Sequence, residues 1–253
     1  MNMRHNRLTK ILLLGMLFSF YLVTDAFSLT AEAAKKNNGI NTHTVDYIDK
    51  DGELIISLPE QEHILYFSDD LALMQKDGKQ VYIDRAGKTV LEPTKYYSDS
   101  GPFADGLATV RLGLSWGYIN KAGEVVVKPV FRATRMFHEG FAAVKVADKQ
   151  WCFIEHEGRL VLPANYQEAR PFSEGLAAVQ MNGRWGYINK HGMQVIACRY
   201  SNVHDFADSR AAVCLYGRWG FIDKKGKMVV PAKYLEVADF YKGFAGVIGE
   251  EQE

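Results

Sequence analysis

The sequence predicts an all-β fold made by repeating one short unit, and three observations carry that prediction. A Trp-led run returns as Trp116-Gly117-Tyr118-Ile119-Asn120, Trp151-Cys152-Phe153-Ile154-Glu155, Trp185-Gly186-Tyr187-Ile188-Asn189 and Trp219-Gly220-Phe221-Ile222-Asp223, at spacings of 35, 34 and 34. A Phe opens each unit at 67, 103, 137, 172, 206 and 240. Gly follows each Trp at plus seven (Gly123, Gly158, Gly192, Gly226), and an aromatic at plus fifteen (Phe131, Tyr166, Tyr200, Tyr234). A fixed period of this length marks units that bury their apolar faces only by stacking on neighbours.

Each unit reads as three short strands in an antiparallel meander of about 34 residues. Strand A follows Phe-x-Asp/Glu-Gly, as in Leu107–Val110, Phe141–Val144, Leu176–Val179 and Phe244–Val247. Its Ala and Val recur two apart, the spacing of one strand face. Strand B carries the Trp-Gly-aromatic-Ile run, whose residue types favour strands. Strand C is the Val-rich segment at Val125–Val127, Leu160–Leu162, Val195-Ile196 and Met228–Val230. Asn182-Gly183 and Asp77-Gly78 between A and B suit two-residue hairpin turns, and Tyr216-Gly217 takes the same place. Asn/Asp-x-x-Gly between B and C, as in Asn120–Gly123 and Asp223–Gly226, suits a type I turn closed by a left-handed Gly. Pro93, Pro129, Pro163 and Pro231 are expected to end strand C. Links such as Gln167–Pro171 leave room for one helical turn at most.

The array begins and ends out of phase. Val45–Gly52 matches strand B and its turn, with Val45 in the Trp place, and Leu54–Pro59 matches strand C. Gln80–Gly87 is a further degenerate strand B, and Phe240–Val247 supplies a lone strand A. The expectation is a propeller-like ring of six units closed by the C-terminal strand. The alternative is an open, curved β-solenoid.

These residues resemble the WG-repeat family, a bacterial β-repeat named for its Trp-Gly pair. The shared pattern is Phe-x-Glu/Asp-Gly-x-Ala-x-Val, then Trp-Gly-Tyr/Phe-Ile-Asn/Asp-x-x-Gly, then Val-Val-x-Pro-x-Tyr/Phe, across about Val45 to Val247. Departures are Val45 and Gln80 for Trp, Cys152 for Gly, and Ser209 for the Gly after Phe206. The resemblance implies a β-rich repeat protein, often exported or surface-associated. It implies no shared catalytic residues.

Residues 1–33 read as a signal peptide. Arg4, Arg7 and Lys10 precede the apolar segment Ile11–Val23, and Ala31-Glu32-Ala33 precedes the cut before Ala34. Thirteen apolar residues fall short of the roughly 20 a membrane helix needs. The alternative is an uncleaved N-terminal membrane anchor. Residues 34–44 read as a short linker, 45–249 as the repeat domain and 250–253 as a tail. Removing three basic and two acidic residues from 30 of each leaves 27 and 28, so no net field attracts nucleic acid or anionic membrane. Cys152, Cys198 and Cys214 are an odd number without framework spacing. A Cys198–Cys214 bridge is conceivable in an oxidising compartment.

No residue stands out as catalytic, cofactor-binding or metal-ligating. Gly113-Leu114-Ser115-Trp116-Gly117 matches a nucleophile-elbow string, but a β-strand follows where that motif needs a helix. Asp105, Glu139, Glu174 and Asp208 recur two after the opening Phe, as expected of carboxylates capping turn amides. His43, His63, His138, His156, His191 and His204 fall at different phases without metal-ligand spacing. The four Trp are expected to form a packed seam between units, with the adjacent Gly admitting the next unit. Tyr97 and Tyr216 are the aromatics expected to reach a ligand. The expected function is a secreted, non-catalytic binding or scaffold protein without cofactor. Its expected partners are a protein or a cell-envelope polysaccharide. The alternatives are a hydrolase-like enzyme with its site in the ring mouth, and a structural spacer.

Overall fold

A computed structural model describes residues 44–48, 52–59, 63–76, 78–93, 96–148 and 150–249. The expected signal segment, most of the linker, Asp77, His43 and the tail lie outside the described residues. The described residues divide into two compact parts, one within 44–146 and 154–159, the other within 147–153 and 160–249.

The described residues are almost entirely β. The strands in order are β1 Thr44–Ile48, β2 Leu54–Pro59, β3 His63–Ser68, β4 Leu71–Lys76, β5 Lys79–Ile83, β6 Thr89–Leu91, β7 Asp99–Ala104 and β8 Leu107–Leu112. Then come β9 Ser115–Asn120, β10 Val125–Phe131, β11 Ala133–Thr134, β12 Phe141–Ala147, β13 Gln150–Glu155, β14 Leu160–Tyr166, β15 Glu168–Ser173 and β16 Leu176–Met181. The last are β17 Arg184–Asn189, β18 Gln194–Tyr200, β19 Asn202–Val203, β20 Arg210–Leu215, β21 Arg218–Asp223, β22 Met228–Tyr234, β23 Glu236–Val237 and β24 Val247–Ile248.

They form antiparallel sheets of four sequential strands: β3–β6, β7–β10, β11–β14, β15–β18 and β19–β22. Each sheet therefore holds the expected three-stranded meander plus one strand before it. The link expected to hold a helical turn supplies that strand. In β15, Glu168 faces Gln180 and Ala169 faces Val179, then the register shifts before Phe172 faces Ala177. Pro171 lies in the shift, where a missing N–H breaks no ladder bond. The first strand turns into strand A through Asp105-Gly106 at φ +50° and +83°, or Glu174-Gly175 at +52° and +84°. Both central residues are left-handed, as a tight hairpin turn requires.

Strands A and B are buried on both faces, as at Leu107, Ala108, Thr109 and Val110. The core lies between successive sheets. Tyr187, Ile196 and Tyr200 of one sheet meet Val203, Phe206, Val213 and Ile222 of the next. Leu73 and Tyr82 likewise meet Phe103, Ala108, Val110 and Ile119.

Proline does not end strand C. Pro129 lies inside β10, within the register shift between Val127 and Phe131, and Pro231 lies inside β22. Strand C is the outer strand of its sheet, so a residue without an N–H is tolerated there. Pro93 alone falls beyond its strand, and its carbonyl accepts the amides of Tyr96 and Tyr97.

At the two ends, β1 pairs only with β2 and β23 only with β24, each pair a two-stranded sheet of its own. The closing pair expected between the C-terminal strand and the first partial unit is not among the hydrogen-bonded sheets of the described residues.

Candidate functional site

The residues that recur are occupied in holding each repeat to the next. The strand B aromatic packs on the opening Phe of the following sheet: Tyr82 on Phe103 at 4.7 Å, Tyr118 on Phe137 at 4.8 Å, Phe153 on Phe172 at 5.0 Å, Tyr187 on Phe206 at 4.9 Å and Phe221 on Phe240 at 4.8 Å. Where that aromatic is Tyr, its hydroxyl donates to the carbonyl two residues before the Phe. Tyr82 Oη reaches Gly101 O at 2.6 Å, Tyr118 reaches Arg135 O at 2.7 Å and Tyr187 reaches His204 O at 2.6 Å. Burial pushes the Tyr82 and Tyr187 hydroxyls well above the ordinary phenol range. The seam is therefore this Tyr/Phe pair. The expected Trp seam is displaced by two residues, because the Trp side chains sit at the sheet margin, half-buried except for Trp151.

Trp-Gly has a different reason. A Cβ on Gly186 would lie 2.4 Å from Ile196 O and 2.7 Å from Cys198 N. Strand C of the same sheet, shifted between its pairs Tyr187–Ile196 and Trp185–Tyr200, crosses directly over the glycine. The close approach comes from the unit's own edge strand, where the sequence suggested another unit. In the sheet β11–β14 Cys152 takes this place, buried, its thiol pushed up to about 11 by burial. Burial also raises the Cys198 thiol, and no disulfide joins Cys198 to Cys214 or engages Cys152.

Four of the recurrent acids, Asp69, Asp105, Glu174 and Asp208, cap turns, and the turn each caps belongs to the next repeat. Asp69 accepts the Gly106 amide at 2.6 Å, Asp105 that of Gly140 at 2.8 Å, Glu174 that of Ser209 at 3.0 Å and Asp208 that of Gly243 at 2.8 Å. The B–C turn returns the contact. Lys121 Nζ donates to Asp69 O, His156 Nε2 lies 2.8 Å from Asp105 O and Lys224 Nζ lies 3.0 Å from Glu174. That turn is held by its Asn or Asp. Asn189 Oδ1 accepts the His191 and Met193 amides, both at 3.0 Å, and Gly192 follows at φ +74° against Leu162 of the preceding strand C. Glu155 reaches too far for this and pairs with Arg159 instead.

Two features remain after this accounting. The first is a polar ladder on the first strands of the last sheets. Arg170 stands over the Trp185 ring at 5.3 Å and lies 4.0 Å from Asp205 of the next sheet. One repeat later, His204 packs on Trp219 at 4.8 Å and its Nδ1 lies 2.7 Å from Asp239. These four side chains are 18–35% exposed, so solvent reaches a guanidinium, an imidazole and two carboxylates. Trp185 is thus covered on one face by a guanidinium and Trp219 meets an imidazole.

The second is Tyr216, 99% exposed at the A–B turn with φ +50°. Asn182 occupies the equivalent position one repeat earlier, a residue that tolerates this conformation better. Tyr97, the other nominated aromatic, is half-buried against the Leu73–Phe103 cluster; its neighbour Tyr96 is the exposed one. Ser115 opens β9 opposite Leu112, on a strand-to-strand hairpin. His138 bridges Phe141, His191 is exposed, and His63 lies in β3. Among the described residues no three His, Cys, Asp or Glu are grouped to hold a metal ion.

The sequence matches the family described as WG containing repeat at residues 47–79, 82–113, 116–149, 151–185, 185–219 and 219–248. The chain belongs to that family. The WG repeat in this protein spans strand B of one sheet to strand A of the next, so each match crosses a seam between sheets. Among curated proteins, none matches this chain. Solved structures similar to this WG-repeat chain include Hsv2 of Kluyveromyces lactis, at 12% identity and TM-score 0.47 over 68% of this chain and 65% of that one. BamB from Moraxella catarrhalis follows at 10% identity and TM-score 0.45 over 78% and 70%. The WD40 β-propeller domain of Doa1 is similar at 12% identity and TM-score 0.38 over 71% and 68%. At these values the likenesses carry no functional implication.

Proposed function

We propose that this protein is an exported, non-catalytic binding or scaffold module that engages a protein or a cell-envelope polysaccharide through its A–B turns. The observation that carries the reading is Tyr216. A bulky side chain held at positive φ costs of order 1 kcal/mol or more, and this one is 99% exposed. Exposed rigid aromatics are the side chains that anchor partners. The repeated acids and most of the repeated aromatics are engaged in the frame, which leaves the turns that differ between repeats to provide recognition. Export rests on the signal-like segment at residues 1–33. Among the described residues no helix is long and apolar enough to cross a membrane.

The test is binding of the purified protein to isolated cell-wall polymer and to secreted proteins, with Tyr216→Asn as the comparison. The expected result is at least tenfold weaker binding by a variant that melts no lower than the parent. Equal binding by both would remove the reading. The enzyme reading draws on one specific observation, the ladder of Arg170, Asp205, His204 and Asp239. Hydrolysis of glycosidase or esterase substrates that His204→Gln abolishes would favour it instead.

A further inference from the structure

We propose that Asn182 is a site of spontaneous deamidation whose rate is set by the side chain of Gln167. Asn182 and Gly183 form the A–B turn between β16 and β17, with φ of +51° and +72°, and both are exposed. In an Asn-Gly pair the following amide nitrogen can approach the side-chain carbonyl closely, because Gly has no Cβ in the way. No hydrogen bond from the described residues holds the Asn182 side chain away from that nitrogen. The step is redox-neutral. The Gly183 N–H gives its proton to hydroxide and the nitrogen attacks Asn182 Cγ. The N–Cγ bond forms, the Cγ–Nδ2 bond breaks, and Nδ2 leaves as ammonia with a proton from water. Water then adds to either carbonyl of the cyclic imide and breaks its C–N bond. One product is an aspartyl residue at position 182. The other is an isoaspartyl residue, whose main chain is one carbon longer. That carbon falls in a tight turn whose strands pair Met181 with Arg184 and Gln180 with Trp185, and turn length sets their register.

Gln167 guards the attacking nitrogen. The Gly183 amide donates to Gln167 Oε1 at 2.6 Å, and the Gln167 backbone is held by its own amide, which donates to Gln180 O at 2.8 Å. A nitrogen whose proton is held by an acceptor must break that bond before it can lose the proton and turn onto Cγ. The guard is particular to this repeat. One repeat later Ser201 stands in the place of Gln167. Its hydroxyl donates to Cys214 O at 3.1 Å, and among the described residues no side chain takes the Gly217 amide. Asp105-Gly106 has similar left-handed geometry at another turn, but there both reacting groups are engaged. The Asp105 carboxylate accepts the Gly140 amide, and the Gly106 amide donates to Asp69.

The experiment incubates the full folded chain at mildly alkaline pH and maps its peptides by mass spectrometry, with isoaspartate detected by enzymatic methylation. Asn38-Gly39, outside the described residues, is scored separately. The parent is expected to accumulate aspartyl and isoaspartyl products at position 182. Gln167→Ala is expected to convert about fivefold faster, the factor that one lost hydrogen bond corresponds to. Gln167→Glu, whose carboxylate still accepts the amide, is expected to keep the parent's rate. In Tyr216→Asn the unguarded position 216 is expected to convert faster than position 182 of the same molecule. Circular dichroism confirms that each variant is folded. A parent that stays unmodified at position 182 while its urea-unfolded chain converts would overturn the site. Equal rates in the parent and Gln167→Ala, a Gln167→Glu rate as high as that of Gln167→Ala, or slower conversion at position 216 than at 182 would overturn the guard.

Discussion

Tyr187 shows how much one atom contributes to the frame. Its hydroxyl is buried at the seam and donates to His204 O at 2.6 Å, while its ring meets Phe206 edge-on. Tyr187→Phe keeps the ring and removes the bond, and is expected to cost about 1 kcal/mol. The same hydroxyl gives an alkaline signature. Its folded-state pKa is raised, so its contribution is complete below the ordinary phenol value near 10 and is lost as pH rises above it. Melting temperatures between pH 9 and 12 should fall less steeply for the variant than for the parent. Gly186→Ala is the opposite case, since its new methyl would meet backbone that has nowhere to rotate. A loss of about 1–3 kcal/mol in denaturant unfolding is expected. Ser209 is left-handed at φ +62° where Gly106, Gly140, Gly175 and Gly243 stand elsewhere, and its replacement by Gly is expected to stabilise the protein by up to about 1 kcal/mol.

At the scale of the element, the turns read most clearly from sequence. Asn/Asp-x-x-Gly announced the turn and its left-handed Gly, present after Asp84, Asn120, Asn189 and Asp223, whose side-chain oxygens also accept amides within the turn. Asn189→Ala removes the two hydrogen bonds that its side chain accepts from the His191 and Met193 amides and should lower stability by about 1 kcal/mol. Asn189→Asp should retain most of it, which a paired thermal scan checks. The first strand of each sheet was not legible. It is short, often interrupted by Pro or a shift, and its apolar residues are too few to show a period of two. Only the pairing of Ala169 with Val179 and of Phe172 with Ala177 reveals it. The acids were legible as turn residues but their partners were not, since a carboxylate that reaches 35 residues onward leaves no local mark. The same holds for the Trp. Sequence shows that it recurs, and only geometry shows that the aromatic two residues later does the packing. The Arg170–Asp205 and His204–Asp239 ladder carried no signal because its members occur in only two repeats.

At the scale of the molecule, the period alone established the all-β class, the number of matches and the continuity of the array. Stability in such an array is a sum of repeat and nearest-neighbour contributions. Phe206→Ala, which empties the seam between two neighbouring sheets, is expected to cost about 3–5 kcal/mol. Hydrogen exchange should show the loss concentrated in β15–β22, with β3–β6 nearly unchanged. Export makes a separate prediction at this scale. Protein collected outside the producing cell should begin at Ala34 by mass spectrometry, and an intact Met1 would favour the anchored alternative.

The turn-to-turn carboxylates have one more consequence. Asp105 and Gly106, and again Asp208 and Ser209, place an acceptor acid for the unit ahead beside a donor amide for the unit behind, within two residues. A gene segment encoding one period therefore brings both ends of the joint with it. Duplication can lengthen the protein without any compensating change elsewhere, while the A–B turn, which takes no part in the joint, is free to diverge in each descendant.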